Sequence, residues 1–91
     1  MRVFRQGDVV IREVEGLPEG VVTGEDDKLE MSGETGQLHR VAVQTIEIDW
    51  NKFIVVPEGG AVMTHLEHPP LALPPMVAKV ERVRSITPYL D

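Results

Sequence analysis

Turn-forming residues recur throughout this chain and leave no room for a long helix. Its 91 residues include seven prolines and eight glycines, and the segments between them are short and rich in Val, Ile and Leu. β-Branched side chains favour strands over helices. The sequence therefore predicts one all-β domain over residues 1–91, a small barrel or sandwich of about six to eight short, mainly antiparallel strands.

Several segments carry this prediction. Residues 45–57 predict two strands around a turn at 49–52, where Asp and Asn supply the turn chemistry. Residues 61–67 predict one strand, followed by an extended connection because each residue before a proline is pushed out of the helical region. Residues 76–86 predict the final long strand. Residues 24–27 predict a solvated acidic loop, since the spacing of a calcium-binding loop is missing.

Composition restricts the location and the partners of the protein. The chain has no cysteine, which excludes disulfides and thiolate metal sites. It contains no apolar run long enough to span a bilayer, and its start turns polar too soon for a signal peptide, so we expect a cytoplasmic protein without a membrane partner. The formal net charge of −6 makes nucleic acid an unlikely partner. A local basic patch would need the terminal strands to gather Arg2, Arg5, Arg12, Arg82 and Arg84, and solvated charges are the preferred interpretation.

Three histidines provide the strongest candidate for chemistry. His39 stands alone, whereas His65 and His68 flank Glu67 in the segment Thr-His-Leu-Glu-His-Pro-Pro. On a strand over 61–67, His65 and Glu67 would share a face, and His68 could turn to the same side. Imidazole nitrogens with a carboxylate suit zinc or non-haem iron. We therefore predict that His39, His65, His68 and Glu67 hold a divalent metal, Zn, Mn or Fe.

Other interpretations of these residues remain open. The His-x-Glu-His spacing differs from the helical His-Glu-x-x-His of metalloproteases. His65 could instead hydrogen-bond a turn, and His68 could simply precede the proline corner. Without a metal, His39 with Glu34 or Glu67 could act as a general acid or base, because histidine titrates near neutral pH.

Three stretches together resemble a family of small, uncharacterised bacterial and phage proteins. They are residues 4–11 (FRQGDVVI), 32–41 (SGETGQLHRV) and 64–75 (THLEHPPLALPP). Members open with Arg-Gln-Gly-Asp-Val, then carry Gly-Glu-x-Thr-Gly-His-x-His and His-x-Glu-His-x-Pro-Ile-x-Leu-Pro-Pro-Gly. The resemblance implies no established activity, but it places the histidines in its motifs. Gln37 stands where the family pattern has a histidine and Met76 where it has glycine, and the loss of one imidazole would weaken or abolish a metal site.

These observations favour a small β-module that acts by binding or self-assembly. We expect the partner to be a second copy of the chain, in a homo-oligomer, or another protein, in a phage-related structural or accessory role. The alternative is a metal-dependent, hydrolase-like enzyme that uses the histidines. A nucleic-acid binder that uses the arginines is the weakest candidate.

Overall fold

The described part of the chain folds into ten antiparallel strands. A computed structural model describes residues 1–33 and 35–83, and no α-helix occurs in this part of the chain. None of it, therefore, forms a helix that could cross a membrane. The strands are β1 (Val3–Gln6), β2 (Val9–Val14), β3 (Val22–Asp26), β4 (Leu29–Ser32), β5 (Leu38–Val41), β6 (Gln44–Ile48), β7 (Asn51–Val56), β8 (Ala61–His65), β9 (His68–Leu73) and β10 (Met76–Arg82).

The strands form two sheets that pack as a sandwich. Six strands lie in the order β1-β2-β10-β7-β6-β3, and four lie in the order β4-β5-β8-β9. The all-β prediction and its sandwich form are confirmed. The barrel form is not, because no ladder joins the two sheets in the part described. The number of strands is ten rather than six to eight, since short hairpins supply strands that the sequence does not separate.

The core lies between the sheets and is aliphatic. Its fully buried members include Val9, Ile11, Leu29, Ile54 and Met63, which come from both sheets. The unbroken apolar run at the start of β2 reflects this burial, because β2 is covered by β1 and β10 at its edges and by the second sheet on one face. This core holds the two sheets together and so fixes the position of their ends.

The prediction of one strand over 61–67 is wrong at its end. β8 stops at His65, a two-residue turn follows, and β9 starts at His68 and contains both prolines. Proline has no backbone N–H to donate. It is tolerated there because β9 is an edge strand, whose outer side has no partner strand to bond among the described residues. His65 and Glu67 therefore do not share a strand face.

Two other boundaries differ from the sequence prediction. The acidic segment 24–27 is mostly strand, because residues Gly24–Asp26 pair with β6. The last strand ends at Arg82, and Arg84 and the rest of the predicted strand to residue 86 lie outside the described residues.

The β6–β7 hairpin has a tighter turn than predicted. Ile48 pairs with Asn51, so only Asp49 and Trp50 form the turn. Both adopt left-handed backbone conformations, with φ of 48° and 66°, and they are the non-glycine residues with positive φ in the described chain. This geometry matches the twist of the strands but usually requires Asn-Gly or Asp-Gly. A tryptophan at the second position therefore stores backbone strain.

We predict that the substitution Trp50→Gly stabilises the protein by about 1 kcal/mol, because glycine adopts the left-handed conformation without a steric cost. Urea unfolding of the purified variant measures this change. The control is Leu66→Gly in the β8–β9 turn, which relieves no positive φ and should be neutral or destabilising. If both substitutions destabilised the protein equally, the claim that the Trp50 backbone is strained would be contradicted.

Candidate functional site

The buried polar side chains of the protein concentrate in one place. Buried polar or charged residues are Gln6, Asp8, His39, Thr45 and His65. The hydroxyl of Thr45 has a hydrogen-bond partner two residues away, because it donates to the carbonyl of Val43 at 3.1 Å. The other four, together with half-buried His68, form what we call the histidine cluster.

The cluster lies where the end of the first sheet meets the second. Gln6 ends β1, and Asp8 sits in the turn to β2, where its carbonyl accepts the Val83 N–H at 2.8 Å. His39 is on β5 with an exposed fraction of 0%. His65 and His68 face each other in register across the β8–β9 turn. Four different strands and one turn therefore contribute side chains.

The three imidazoles lie side by side, with the ring of His65 in the middle and tilted by 37° and 40° to the other two. Its ring centroid lies 4.2 Å from that of His39 and 4.5 Å from that of His68. The rings of His39 and His68 are nearly parallel, with centroids 5.9 Å apart. The structure thus brings together all three histidines that the sequence predicts as ligands.

Gln6 determines which nitrogen of His39 carries the proton. Its amide nitrogen donates to the carbonyl of Met63 at 3.0 Å and to that of Pro69 at 2.9 Å, which uses both of its hydrogens. Its amide oxygen lies 2.9 Å from Nδ1 of His39 and can only accept. The proton of a neutral His39 is therefore on Nδ1, and Nε2 keeps its lone pair.

That lone pair faces a carboxylate. Oδ1 of Asp8 lies 3.2 Å from Nε2 of His39. The pKa of His39 is lowered, mainly by burial and next by repulsion from His65. The hydrogen bond and the charge of Asp8 act in the opposite direction but are smaller effects. Near neutral pH the ring is therefore neutral. Two acceptors then face each other in the interior, a contact that either a proton or a metal cation would turn into an attraction.

The second oxygen of Asp8 is also poorly compensated. Among the described residues, its Oδ2 is buried and has no hydrogen-bond partner. The guanidinium Nε of Arg82 lies 3.5 Å away, and the same side chain donates to the carbonyl of Ser32. Because Arg82 is about half exposed, solvent screens this ion pair. The cluster therefore contains a buried carboxylate whose charge is only partly balanced.

Glu67 is the predicted ligand whose carboxylate is committed elsewhere. Its carboxylate accepts the hydroxyl of Thr35, and its backbone N–H donates to Nδ1 of His65 at 3.0 Å. This second bond is the turn contact that the alternative interpretation of His65 expects, and it uses only Nδ1 of that ring. Glu34, the other carboxylate considered as a partner of His39, lies outside the described residues.

Two glycines leave space against the imidazole nitrogens. A Cβ atom at Gly33 would lie 2.9 Å from Nε2 of His39 and 3.2 Å from Nε2 of His65. A Cβ at Gly7, whose φ is +59°, would lie 2.5 Å from Nε2 of His68. A larger residue at either position would occupy the space beside these nitrogens.

The rings do not converge on one point as they stand. Within residues 1–33 and 35–83, no group of three or more His, Cys, Asp or Glu side chains is arranged so that it could hold a metal ion. The predicted ligand set of His39, His65, His68 and Glu67 therefore stays a prediction. The general acid–base alternative is weak for His39, because both of its nitrogens face protein groups and its ring is buried.

Among the described residues, the arginines of β2 and of the first residues of the chain are paired with nearby groups. Arg2 pairs with Glu13 at 3.0 Å, and Arg12 pairs with Glu81 at 2.7 Å. Arg5 donates to the carbonyl of Gly7 at 2.7 Å. These contacts favour the interpretation of solvated strand charges over a nucleic-acid surface.

Sequence reasoning missed Gln6 and Asp8 as site residues. Both lie in residues 4–11, the first of the three stretches that carry the family resemblance, and that resemblance assigns them no role. The signal that could have found them is their position, because two polar residues directly precede a run of fully buried apolar residues. Polar groups beside such a run are buried unless the chain turns outwards, and buried polar groups need partners.

Comparison of the chain with protein-family models, with curated proteins and with solved structures finds no match. The resemblance to the family of small bacterial and phage proteins therefore stays a prediction, and the functional argument rests on the residues of this chain.

We predict that the metal-free protein becomes more stable as the pH rises from about 5.5 to 7.5. The pKa of His39 is lower in the folded chain than its unfolded value of about 6.5, so the unfolded chain binds more protons in this range. The stabilisation is present above the unfolded pKa and is lost as the pH falls towards the folded pKa.

Urea unfolding in chelator-treated buffer measures this dependence, and an NMR titration of the His39 ring assigns it. Asp8, His65 and His68 face the same ring, so the assignment to His39 requires its own resonance. A free energy of unfolding that decreases with pH across this range would contradict the lowered pKa.

Proposed function

We propose that the protein is a small β-module that binds one divalent transition-metal ion in the histidine cluster, with Asp8 and His39 as its first two ligands. The observation that carries this proposal is the buried 3.2 Å contact between Oδ1 of Asp8 and Nε2 of His39. In the neutral ring, the hydrogen bonds of Gln6 leave Nε2 as the nitrogen without a proton. Two acceptors placed together away from water repel each other, and a cation between them removes this cost.

The spacing of the two atoms fits such an ion. Zinc binds imidazole nitrogen and carboxylate oxygen at about 2.0–2.2 Å, so two ligands of a tetrahedral ion lie about 3.3 Å apart. The observed separation of 3.2 Å is compatible with two ligands of one such ion. The hydrogen bond from Nδ1 of His39 to Gln6 is the outer-shell contact that metal-binding histidines usually make.

The remaining ligands come from the other two histidines. Nε2 of His65 borders the same space beside Gly33 as Nε2 of His39. His65 accepts a bond on Nδ1, so its proton lies on Nε2, and it must change tautomer to bind the ion through that atom. The half-buried ring of His68, whose centroid lies 4.5 Å from that of His65, would have to rotate to bring a nitrogen to the ion. Ion binding is therefore coupled to rearrangement of these two rings.

The mixed donor set selects the class of ion. Imidazole with a carboxylate suits zinc, manganese and iron, whereas calcium and magnesium prefer oxygen ligands. This agrees with the ions that the sequence predicts.

We predict that Gly33→Ala weakens zinc and cobalt binding at least about tenfold, because its Cβ fills the space beside Nε2 of His39 and of His65. Native mass spectrometry gives the stoichiometry, and the absorption spectrum of bound cobalt reports nitrogen and oxygen ligands. Zinc at 100 times its dissociation constant should stabilise the wild-type protein by about 2.7 kcal/mol.

The matched control is Gly16→Ala, because no described atom lies within 4 Å of a Cβ at that position. This variant should bind zinc like the wild-type protein. A wild-type protein without a bound ion and without a zinc-dependent change in unfolding would overturn the proposal. Equal weakening by both substitutions would place the ion elsewhere.

A hydrolase-like activity is the second candidate, and one observation favours it. The cluster forms part of the wall of two surface grooves: His65 lines one of about 450 Å³ and His68 lines one of about 220 Å³. A substrate in either groove would approach the ion from the side of these two rings. Hydrolysis of a nitrophenyl ester or phosphate that requires zinc and is lost in Gly33→Ala would support the enzyme over the binding module.

A further inference from the structure

We propose that Trp50 and the outer edge of β3 form a docking surface for an extended protein segment that carries both apolar and basic side chains. This surface consists of Val21, Val22 and Trp50 with the acidic side chains of Glu25 and Asp26, and we call it the Trp50 surface. The proposal is independent of the cation site, because none of these residues belongs to the histidine cluster.

The apolar part of this surface is unusually exposed. Solvent reaches 78% of Trp50, 68% of Val21 and 55% of Val22. Trp50 is the only tryptophan of the chain, and it occupies a left-handed turn position that favours glycine. A large aromatic side chain that is both exposed and strained contributes nothing to the core. Tryptophan is, however, among the residues that most often anchor protein interfaces.

Hydrogen bonds hold this turn against the start of β3. The N–H of Val21 donates to Oδ1 of Asp49 at 3.1 Å, and the N–H of Asp49 donates to the carbonyl of Val21 at 2.8 Å. The N–H of Trp50 donates to the hydroxyl of Thr23 at 3.1 Å. The three exposed apolar side chains are therefore presented by a rigid backbone, which lowers the entropic cost of binding.

The adjacent strand offers backbone partners. β3 is the last strand of the six-stranded sheet and pairs only with β6 in the part of the chain described. Its other edge therefore presents N–H and C=O groups that an extended segment can pair with as an added strand. The bulge between Val22 and Gly24 interrupts the ladder to β6 and increases the local twist.

The charge of this edge determines the chemistry of the partner. Glu25 and Asp26 are exposed on β3 and line a groove with Lys28 and Lys52. Each lysine also has an acidic neighbour of its own, because Lys28 lies 3.7 Å from Glu30 and Lys52 stands opposite Glu47 in register. With four carboxylates and two lysines, the groove keeps a net negative charge. A segment with Lys or Arg between apolar residues complements this edge. A second copy brings the same acidic edge and a formal net charge of −6, which opposes self-pairing.

A synthetic peptide of alternating valine and lysine tests the proposal on the complete protein. We expect saturable binding at low salt, a shift of the Trp50 emission to shorter wavelength, and affinity that falls as salt rises. A peptide with glutamate in place of lysine should not bind. Fluorescence anisotropy of the labelled peptide measures affinity for variants that lack the tryptophan.

Two substitutions and one control identify the surface. Trp50→Asn keeps a residue that tolerates the left-handed turn and should weaken binding at least about tenfold. Glu25→Lys should weaken it mainly at low salt. Leu66→Ala removes an apolar side chain that is 85% exposed in a different turn, and it should leave binding unchanged.

Several results would overturn the proposal. They are unchanged affinity in Trp50→Asn, equal binding of the glutamate peptide, or no shift in the Trp50 emission at saturating peptide. A dimer in light scattering that is lost in Trp50→Asn would assign the surface to a second copy of the chain and would also overturn it.

Discussion

A carboxylate and a neutral imidazole meet in the interior of this small sandwich, and the surrounding structure is arranged around their contact. A protein of this size has a small core and a small free energy of unfolding. The cost of one unpaired buried polar group is therefore a large fraction of that free energy. Oδ1 of Asp8 and Nε2 of His39 face each other, and both are hydrogen-bond acceptors. Most other features of the site follow from how the chain holds these two groups in place.

The contact is held by a network that also connects the two sheets. Gln6, at the end of β1 in the first sheet, bonds to the backbone of β8 and β9 and to the ring of His39 in the second sheet. The backbone bond from Val83 to Asp8 fixes the turn that carries the carboxylate. The Gln6 amide at this junction donates to two backbone carbonyls of the second sheet, those of Met63 and Pro69. These bonds favour one defined arrangement of the two sheets. A cation would neutralise the negative charge of Asp8, which Arg82 balances only in part.

The fold class and the identity of the three histidines could be predicted from the sequence, whereas their environment could not. Frequent turn residues and β-branched segments are local signals, so the all-β class and the β6–β7 hairpin follow from them. The end of β8 at His65 depends on pairing with β9, a tertiary effect that a sequence pattern does not contain. Gln6 and Asp8 become site residues because β1 passes β9. Their position beside the buried apolar run of β2 predicts that they are buried, but it does not identify the groups that they meet. The strain at Trp50 was equally hidden, since Asp-Trp is not a typical turn pair.

The most direct test of the central claim is the stability of Asp8→Asn in metal-free buffer at about pH 7.5. An asparagine amide can donate to Nε2 of His39, so the repulsive contact becomes a hydrogen bond worth about 1 kcal/mol. The account predicts that this variant is more stable than the wild-type protein without metal and gains no stability from zinc. The surface substitution Asp27→Asn should change neither property. An Asp8→Asn variant that is less stable without metal would show that the carboxylate has a net stabilising effect, through His39 or Arg82, and it would contradict the account.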